Sequence, residues 1–203
     1  MFSGSISYVL SELAKGTPLS SATEAAHNLG LLEPDPRDDL EGLDVRRKVV
    51  VLARELGLRL ELADVVCDTL LPAPLLKWKP NTNDGAASVA AQLVEALKPY
   101  DDEVAARIAS LSKPHHAVVQ LSVVDIVDGG KAEVKLEAVP LSDRISSYEA
   151  NENIVEITTQ RYSPRPMILQ GPGAGAEITA SGLFADLLKL SRTLIEWNIP
   201  QII

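Results

Sequence analysis

The stretch EPDPRDDLEGLDVRRK, residues 33–48, has the residue types best suited to chemistry. Its prolines at 34 and 36 restrict their own φ angles and push the residues before them toward extended backbone, so the carboxylates sit on a stiff loop. Carboxylates held close together repel one another, and such an arrangement needs a compensating reason. Asp44 and Lys48 are four residues apart on a predicted helix and therefore share one face of it.

Spacing alone leaves two interpretations of this stretch open. In the first, Asp44 and Lys48 form an exposed ion pair worth less than about 1 kcal/mol. In the second, they present a carboxylate and an ammonium together to a small polar substrate, with Glu33 and Asp39 close by. The stiffness of the loop is relevant to the second interpretation because catalytic groups must be held in place.

The sequence GPGAGA, residues 171–176, is a second candidate site. Its glycines follow the apolar run MILQ and precede a predicted helix, which lets backbone amides and a helix N-terminus approach an anion. It is not the G-x-G-x-x-G dinucleotide fingerprint, and no strand follows it to complete a βαβ unit. A tight turn between strand and helix is the alternative interpretation.

Other reactive residue types give weaker signals. Cys67 lies among apolar residues in LADVVCDTLL, which favours a small core residue over a catalytic thiol. His115 and His116 are adjacent and would diverge on a strand, and no cysteine or carboxylate stands at a metal-ligand spacing from them. No metal site is predicted.

The composition limits the classes of protein to consider. The chain has 203 residues, 46% of them apolar, and a net charge of −9, with an isoelectric point near 4.8. Such an acidic chain, without a Lys/Arg run interleaved with aromatics, is a poor partner for nucleic acid or an anionic membrane. No apolar run approaches the roughly 18 residues needed to span a bilayer, and the N-terminus does not resemble a signal peptide. We expect a globular, cytoplasmic protein.

Hydrophobic periodicity predicts the elements that position these residues. Helices are predicted within residues 1–15, from Ser20 or Ser21 as N-cap to Gly30, from Asp44 as N-cap to Gly57, and at about 85–97 and 101–112. The third helix should bury Val45, Val49, Leu52, Ala53 and Leu56. Residues 58–84 are read as a short strand or helix and a long loop.

The second half of the chain changes to strand patterns. Alternating runs around Asp128–Gly130 predict a hairpin. NIVEITTQRY and PMILQG predict two further strands, and a long amphipathic helix follows. This order predicts an α+β fold, with a mixed, mostly antiparallel sheet and helices packed on one face.

Several of these stretches together resemble the homoserine dehydrogenases. EPDPRDDLEGLDVRRK with the following VVVLAREL resembles the signature region of that family, and FSGSISYVL resembles its F-x-G-T-L-S-Y-I segment. NENIVEITTQRY resembles the stretch before its last strands, and GPGAGAEITASGLFADLL resembles its G-x-G-A-G-x-x-T-A close. The resemblance runs through nearly the whole chain in the family's order. Ser5 stands where the family usually has threonine, and both residues keep a hydroxyl.

The resemblance implies a reversible interconversion of L-homoserine and L-aspartate 4-semialdehyde with NADP or NAD, on the route to threonine, isoleucine and methionine. Carried over by position, the substrate-binding residues would be Glu33, Asp39 and Asp44. Glu33 and Asp44 would bind the substrate, chiefly its ammonium, and Asp39 would lie in the same acidic pocket and orient the groups around it. Lys48 would be the acid/base and would polarise the aldehyde oxygen. A substrate with an ammonium accounts for carboxylates held close together.

The resemblance also implies a cofactor contact and an assembly. Gly173, Ala174 and Gly175 would approach the cofactor, which the family binds mainly through an N-terminal Rossmann domain that this chain lacks. We expect residues 1–203 to be one catalytic and dimerisation domain, inactive or nearly so alone, that forms a homodimer through its sheet region. Residues 171–195 would normally pack on the nucleotide domain, so we expect an exposed apolar patch there. A plastid location applies if the source is a plant or alga.

Two alternatives to this reading stay open. One is a non-catalytic dimerisation module of the same fold, which would have no need to keep Glu33, Asp39, Asp44 and Lys48 together. The other is a dehydrogenase that acts on a different amino-acid aldehyde.

Overall fold

The computed structural model describes residues 3–81, 88–127, 130–146, 152–173 and 175–196. Its α-helices are α1 (Gly4–Ala14), α2 (Leu19–Asn28), α3 (Arg37–Leu40), α4 (Leu43–Glu55), α5 (Val89–Leu97), α6 (Asp101–Leu111) and α7 (Ala176–Glu196). Its strands are β1 (Val66–Cys67), β2 (His116–Asp125), β3 (Lys131–Pro140), β4 (Glu152–Ile157) and β5 (Met167–Pro172). Single 3₁₀ turns occur at Leu62–Asp64, Ala73–Lys77, Lys98–Tyr100 and Arg144–Ser146. The predicted α+β class is confirmed.

The strands form two small sheets. β2 and β3 are the predicted antiparallel hairpin, paired from Asp125 opposite Lys131 outward, and β1 adds to β3 in parallel. Residues 128 and 129 of its turn lie outside the described residues. β4 and β5 pair only with each other in the described ranges, so the strands lie in two sheets instead of one. The reason is packing, because Ile154 of β4 contacts the face of the β2–β3 hairpin and not its edge.

The helices cover one face of the hairpin, as predicted. Alternation along β3 points Ala132, Val134 and Leu136 to this face. Leu136 joins the main core formed with α1, α2, α5 and α6. Ala132 and Val134 pack under α4, whose Val49 is fully buried. Burial of a valine or leucine side chain, such as Val134 or Leu136, contributes about 1.5–3 kcal/mol.

The start of α2 differs from the prediction. The helix begins directly after Pro18, which is its N-cap, and neither Ser20 nor Ser21 has that role. Ser20 is instead buried, and both its backbone N–H and its Oγ donate to the carboxylate of Asp101, at 2.8 and 2.6 Å. The predicted stop at Gly30 is confirmed, since this residue has φ +69° just beyond the helix end.

The start of α4 differs in a way that affects the site. Its N-cap is Gly42 in the left-handed conformation, and Asp44 lies inside the first turn, where its side chain is free to pair with Lys48. The predicted cap was therefore wrong by two residues. Leu56, predicted to be buried, is 54% exposed because the helix ends at Glu55 and the chain leaves its apolar face there.

The last helix, α7, carries the expected exposed apolar surface. Its exposed side chains are Ile178, Leu183, Phe184, Leu187, Leu188, Leu190 and Leu194. The predicted exposed apolar patch at residues 171–195 is therefore confirmed for this helix. Among the described helices, α7 included, none is long and apolar enough to cross a membrane.

Candidate active site

Asp39, on the single turn of α3, is the centre of the candidate site. The residue is only 5% exposed. Its Oδ1 accepts a hydrogen bond from Ser5 Oγ at 2.7 Å, and its Oδ2 accepts one from the backbone N–H of Glu33 at 2.9 Å. Both oxygens are therefore used to join α1 and the EPDPRDD loop to α3.

The electrostatics of Asp39 show that the predicted carboxylates are near one another. Burial is the main cause that raises the pKa of Asp39, and the hydrogen bonds from Ser5 and from the Glu33 N–H act against it. The negative charges of Glu33 and Asp44 raise the pKa of Asp39 further. The structure thus brings these three carboxylates into one region.

Lys48 joins this region through Asp44. Lys48 Nζ lies 2.7 Å from Asp44 Oδ2, and the two side chains are 46% and 29% exposed. The predicted sharing of one helix face is confirmed. A pair this exposed contributes less than about 1 kcal/mol to stability, and its exposure leaves both groups accessible to a small ligand.

Backbone hydrogen bonds fix the position of α3 and the start of α4. The carbonyl of Leu40 accepts from the N–H groups of Leu70 and Leu71, at 2.9 and 3.1 Å, and from Thr69 Oγ1 at 2.9 Å. Gly42 donates its N–H to the carbonyl of Asp39 at 2.9 Å. The site is therefore attached to the segment that follows β1, and not only to its own loop.

Arg37 holds the acidic loop at its other end. Its guanidinium binds both oxygens of Asp35, donates from Nη1 to the Trp78 carbonyl at 2.7 Å and lies 5.4 Å from the centre of the Trp78 ring. The hydrogen bond from Arg37 is the main cause that lowers the pKa of Asp35. Sequence reasoning missed this clamp, although an arginine two residues after an aspartate in a proline-rich loop is a weak signal for it.

The glycine-rich turn lies in another part of the molecule, between β5 and α7. Gly175 has φ +121°, a conformation that requires glycine, and open space surrounds it. A Cβ at Gly173 would lie 2.1 Å from the Asn153 side chain, so a larger residue there would have to displace that side chain of β4. Ala174 lies outside the described residues. The predicted site residues therefore fall into two groups, one between α1 and α4 and one at the start of α7.

Two clefts of the molecule lie away from the first group of predicted site residues. A cleft of about 620 Å³ lies between α2 and α5 and includes Trp78, and one of about 400 Å³ lies between α1 and β2. Neither is lined by Glu33, Asp39, Asp44 or Lys48. The candidate site therefore lies outside these two clefts.

Cys67 has the properties of a packing residue. Burial raises the pKa of its thiol to about 11, which leaves almost no thiolate at neutral pH. Within the described residues, no group of three His, Cys, Asp or Glu side chains is placed to hold a metal ion.

Comparisons with known proteins identify the family of the chain. The sequence model of the homoserine dehydrogenase family matches residues 1–188. An Arabidopsis thaliana bifunctional aspartokinase/homoserine dehydrogenase 2 is 38% identical over 192 residues, which cover 95% of this chain and 20% of that protein. A homoserine dehydrogenase from Emericella nidulans is 37% identical over 202 residues, 96% of this chain and 53% of that protein. The chain thus spans about a fifth of the first relative and about half of the second.

Solved structures share the fold. A Candida auris protein described as of unknown function is 34% identical with a TM-score of 0.79, covering 95% of this chain and 52% of that one. A Staphylococcus aureus homoserine dehydrogenase has a TM-score of 0.65 at 20% identity, covering 95% and 42%, and this likeness concerns the fold alone. Because the family model matches nearly all of the sequence, the chain belongs to the homoserine dehydrogenase family.

Proposed function

We propose that this chain provides the substrate-binding and acid/base part of an oxidoreductase that interconverts L-homoserine and L-aspartate 4-semialdehyde with NAD(P), in the biosynthesis of threonine, methionine and isoleucine. The observation that carries the proposal is the Asp44–Lys48 pair, at 2.7 Å, beside Asp39 and Glu33. Family membership supports it.

The carboxylates have two different roles in this proposal. Glu33 and Asp44 bind the substrate ammonium, because Glu33 is exposed, the Asp44 side chain is partly exposed, and the charge of each acts on Asp39. Asp39 is part of the same pocket but acts as a positioning residue, because both of its oxygens already accept hydrogen bonds within the protein. It orients Glu33 by holding its backbone N–H, and it orients Ser5 by holding its hydroxyl.

Lys48 is the proposed acid/base. In the reducing direction the carbonyl oxygen of the aldehyde becomes an alkoxide, and an ammonium beside it stabilises the charge and then donates the proton that gives the alcohol. In the oxidising direction the amine of Lys48 removes the hydroxyl proton. Asp44, one helical turn away, keeps the Nζ atom in place. When bound, the nicotinamide cofactor supplies or accepts the hydride.

The glycine-rich turn fits a contact with an uncharged part of the cofactor. Open space beside Gly171 and Gly175 leaves the backbone accessible. Glu177, however, occupies the first turn of α7, and its negative charge disfavours a phosphate at this helix start. We therefore assign Gly173, Ala174 and Gly175 to a contact near the neutral portion of NADP or NAD, with the phosphates bound by another part of the enzyme.

We also propose how the domain is used. Residues 1–203 would be the catalytic and dimerisation domain of a homodimer, and residues 171–195 would pack on a nucleotide-binding domain. The exposed apolar side chains of α7 support this packing. A cytoplasmic location fits the acidic composition, and the Arabidopsis thaliana relative, which is described as chloroplastic, supports a plastid if the source is a plant or alga.

The test is homoserine-dependent reduction of NAD(P) by the longest natural chain that contains this sequence. Lys48→Met should lower kcat by about 10²–10⁴-fold, the range for a lost general acid/base. Glu33→Ala should abolish measurable homoserine binding. Lys98→Met is the matched control, because Lys98 also pairs with a helical carboxylate at the surface and should be dispensable.

Two results would contradict the proposal. An active parent whose Lys48→Met variant retains its kcat would remove Lys48 from the acid/base role. A parent that binds nucleotide but is inactive with homoserine would show that the substrate assignment is wrong.

A further inference from the structure

We propose that Cys67 Sγ occupies the space beside Gly42, so that only glycine at residue 42 leaves Asp44 and Lys48 in position relative to Asp39. Gly42 is then a positioning residue of the active site, and this inference rests on the proposed function. Gly42 is the N-cap of α4, and Cys67 lies on β1. Neither residue has a proposed role in the chemistry itself.

The space at Gly42 is already occupied. The residue is buried with φ +77°, and a Cβ on it would lie 2.6 Å from Cys67 Sγ. The next atom, Gln120 Nε2, would lie at 3.9 Å, in ordinary contact. Only the sulfur therefore blocks a side chain at this position, within the described residues.

Cys67 cannot easily move away. It lies on β1, where it is opposite Val134 of β3, and the next residue donates its N–H to the Val134 carbonyl at 2.8 Å. Its Sγ lies 3.7 Å from the carbonyl of Glu41, which it faces as a weak donor. Its side chain has a single torsion angle and packs against the cluster under α4. A larger group at Gly42 must therefore displace the α3–α4 connection.

Such a displacement would change the site. Gly42 bonds back to α3 through the Asp39 carbonyl and forward to α4, whose Arg46 N–H donates to the Gly42 carbonyl at 2.9 Å. A shift at Gly42 moves Asp44 and Lys48 together, while Asp39 stays attached to Ser5 and Glu33. A misplacement of about 1 Å in an active site can cost roughly a hundredfold in rate.

The sequence offers a matched control for backbone strain. Gly57 follows the C-terminal end of the same helix with φ +89°, and no atom lies within 4 Å of a Cβ built on it. Alanine at Gly57 or at Gly42 should therefore cost a similar free energy for its left-handed backbone conformation. Only at Gly42 would the new Cβ also clash with the Cys67 sulfur. Cys67→Ala removes that sulfur.

The experiment compares Gly42→Ala, Gly57→Ala, Cys67→Ala and the Gly42→Ala/Cys67→Ala double variant in the longest natural chain. We measure KM for homoserine, kcat and Tm. Gly42→Ala should lower kcat/KM by about 10- to 100-fold with a raised KM, because both the ammonium-binding Asp44 and Lys48 move. Gly57→Ala should lower Tm by about 2–4 °C at unchanged KM. Cys67→Ala alone should stay within about twofold of the parent.

The decisive result is rescue. The KM of the double variant should return to that of Cys67→Ala. With the sulfur gone, only the backbone strain of alanine in the left-handed conformation remains, and Gly57→Ala has the same strain. A Gly42→Ala variant with the KM of the parent, or a double variant no better than Gly42→Ala, would overturn the inference. If Gly42→Ala does not fold, Cys67→Leu fills the same contact with glycine retained, and an unchanged KM would again overturn it.

Failure of the proposed function would look different. A parent that does not turn over homoserine overturns both the function and the positioning role. The contact itself is still decided by Tm, because Gly42→Ala should then lower Tm more than Gly57→Ala, and Cys67→Ala should remove the excess.

Discussion

Replacement of Ser5 by alanine tests the hydrogen bond on which the candidate site is built. Ser5 Oγ donates to Asp39 Oδ1 at 2.7 Å, and both residues are buried, with 7% and 5% of their surface exposed. A hydrogen bond to a charged group contributes about 1.5–3 kcal/mol, and its loss leaves a buried carboxylate oxygen without its donor. With about 2 kcal/mol lost, Tm should fall by roughly 4–8 °C in a domain of this size.

The same variant should show a distinct dependence on pH. Burial raises the pKa of Asp39, and the Ser5 hydroxyl counteracts this, so Ser5→Ala should raise the pKa further. A carboxyl whose pKa is higher in the folded state destabilises the fold as pH rises through that folded value, and it has no such effect below its unfolded pKa, near 3.8. The Tm deficit of Ser5→Ala should therefore be largest at neutral pH and should shrink toward pH ~4.

Thermal unfolding followed by circular dichroism at neutral and acid pH would measure both effects. Ser5→Thr keeps the hydroxyl and should lose little. Ser11→Ala is the matched control on the same helix, because Ser11 is exposed and its Oγ donates only to the Tyr8 carbonyl, at 2.7 Å. Equal Tm losses for Ser5→Ala and Ser11→Ala at neutral pH would refute the reasoning, and so would a Ser5→Ala deficit that is the same at both pH values.

Three further predictions concern other parts of the chain. Because burial raises the pKa of Cys67 to about 11, alkylation by iodoacetamide at pH ~8, followed by mass spectrometry, should be roughly a hundredfold slower in the folded than in the urea-unfolded chain. Arg37→Lys removes the hydrogen bonds to both oxygens of Asp35 and the stacking on Trp78. Steady-state kinetics should then show a raised KM for homoserine. An unchanged KM would contradict the role of Arg37 in holding the acidic loop. Leu187→Glu should change the free energy of unfolding of this domain by less than about 0.5 kcal/mol, since Leu187 is 59% exposed. The same variant should lower the activity of the longest natural chain, because residues 171–195 are proposed to pack on the nucleotide-binding domain.

Features with local causes could be predicted from the sequence. The β2–β3 hairpin follows from alternation and a turn, and the shared face of Asp44 and Lys48 follows from a spacing of four residues. The predicted buried side of α4 is confirmed at Val45, Val49 and Ala53, while Leu52 is only partly buried and Leu56, beyond the helix end, is exposed. Each of these depends on neighbours within a few residues.

Features with distant causes could not be predicted. Ser5 and Asp39 are 34 residues apart, and Arg37 and Trp78 are 41 apart. The N-cap of α4 is Gly42 because hydrogen bonds hold the Leu40 carbonyl beside the segment after β1, which no local pattern near Asp44 records. The separation of β4–β5 from the first sheet likewise depends on Ile154 packing against β2 and β3.

The charge balance of the site argues for a cationic ligand. Glu33 and Asp44 raise the pKa of Asp39, so the carboxylates repel one another in this chain. Lys48 compensates Asp44, to which it is paired. Two arginines of the same segment pair with other carboxylates, Arg37 with Asp35 and Arg47 with Asp38, and Arg46 donates from Nη2 to the Leu62 carbonyl at 2.8 Å. A substrate ammonium bound by Glu33 and Asp44 would relieve the remaining repulsion between these carboxylates, while Asp44 keeps Lys48 Nζ in place beside the reacting oxygen.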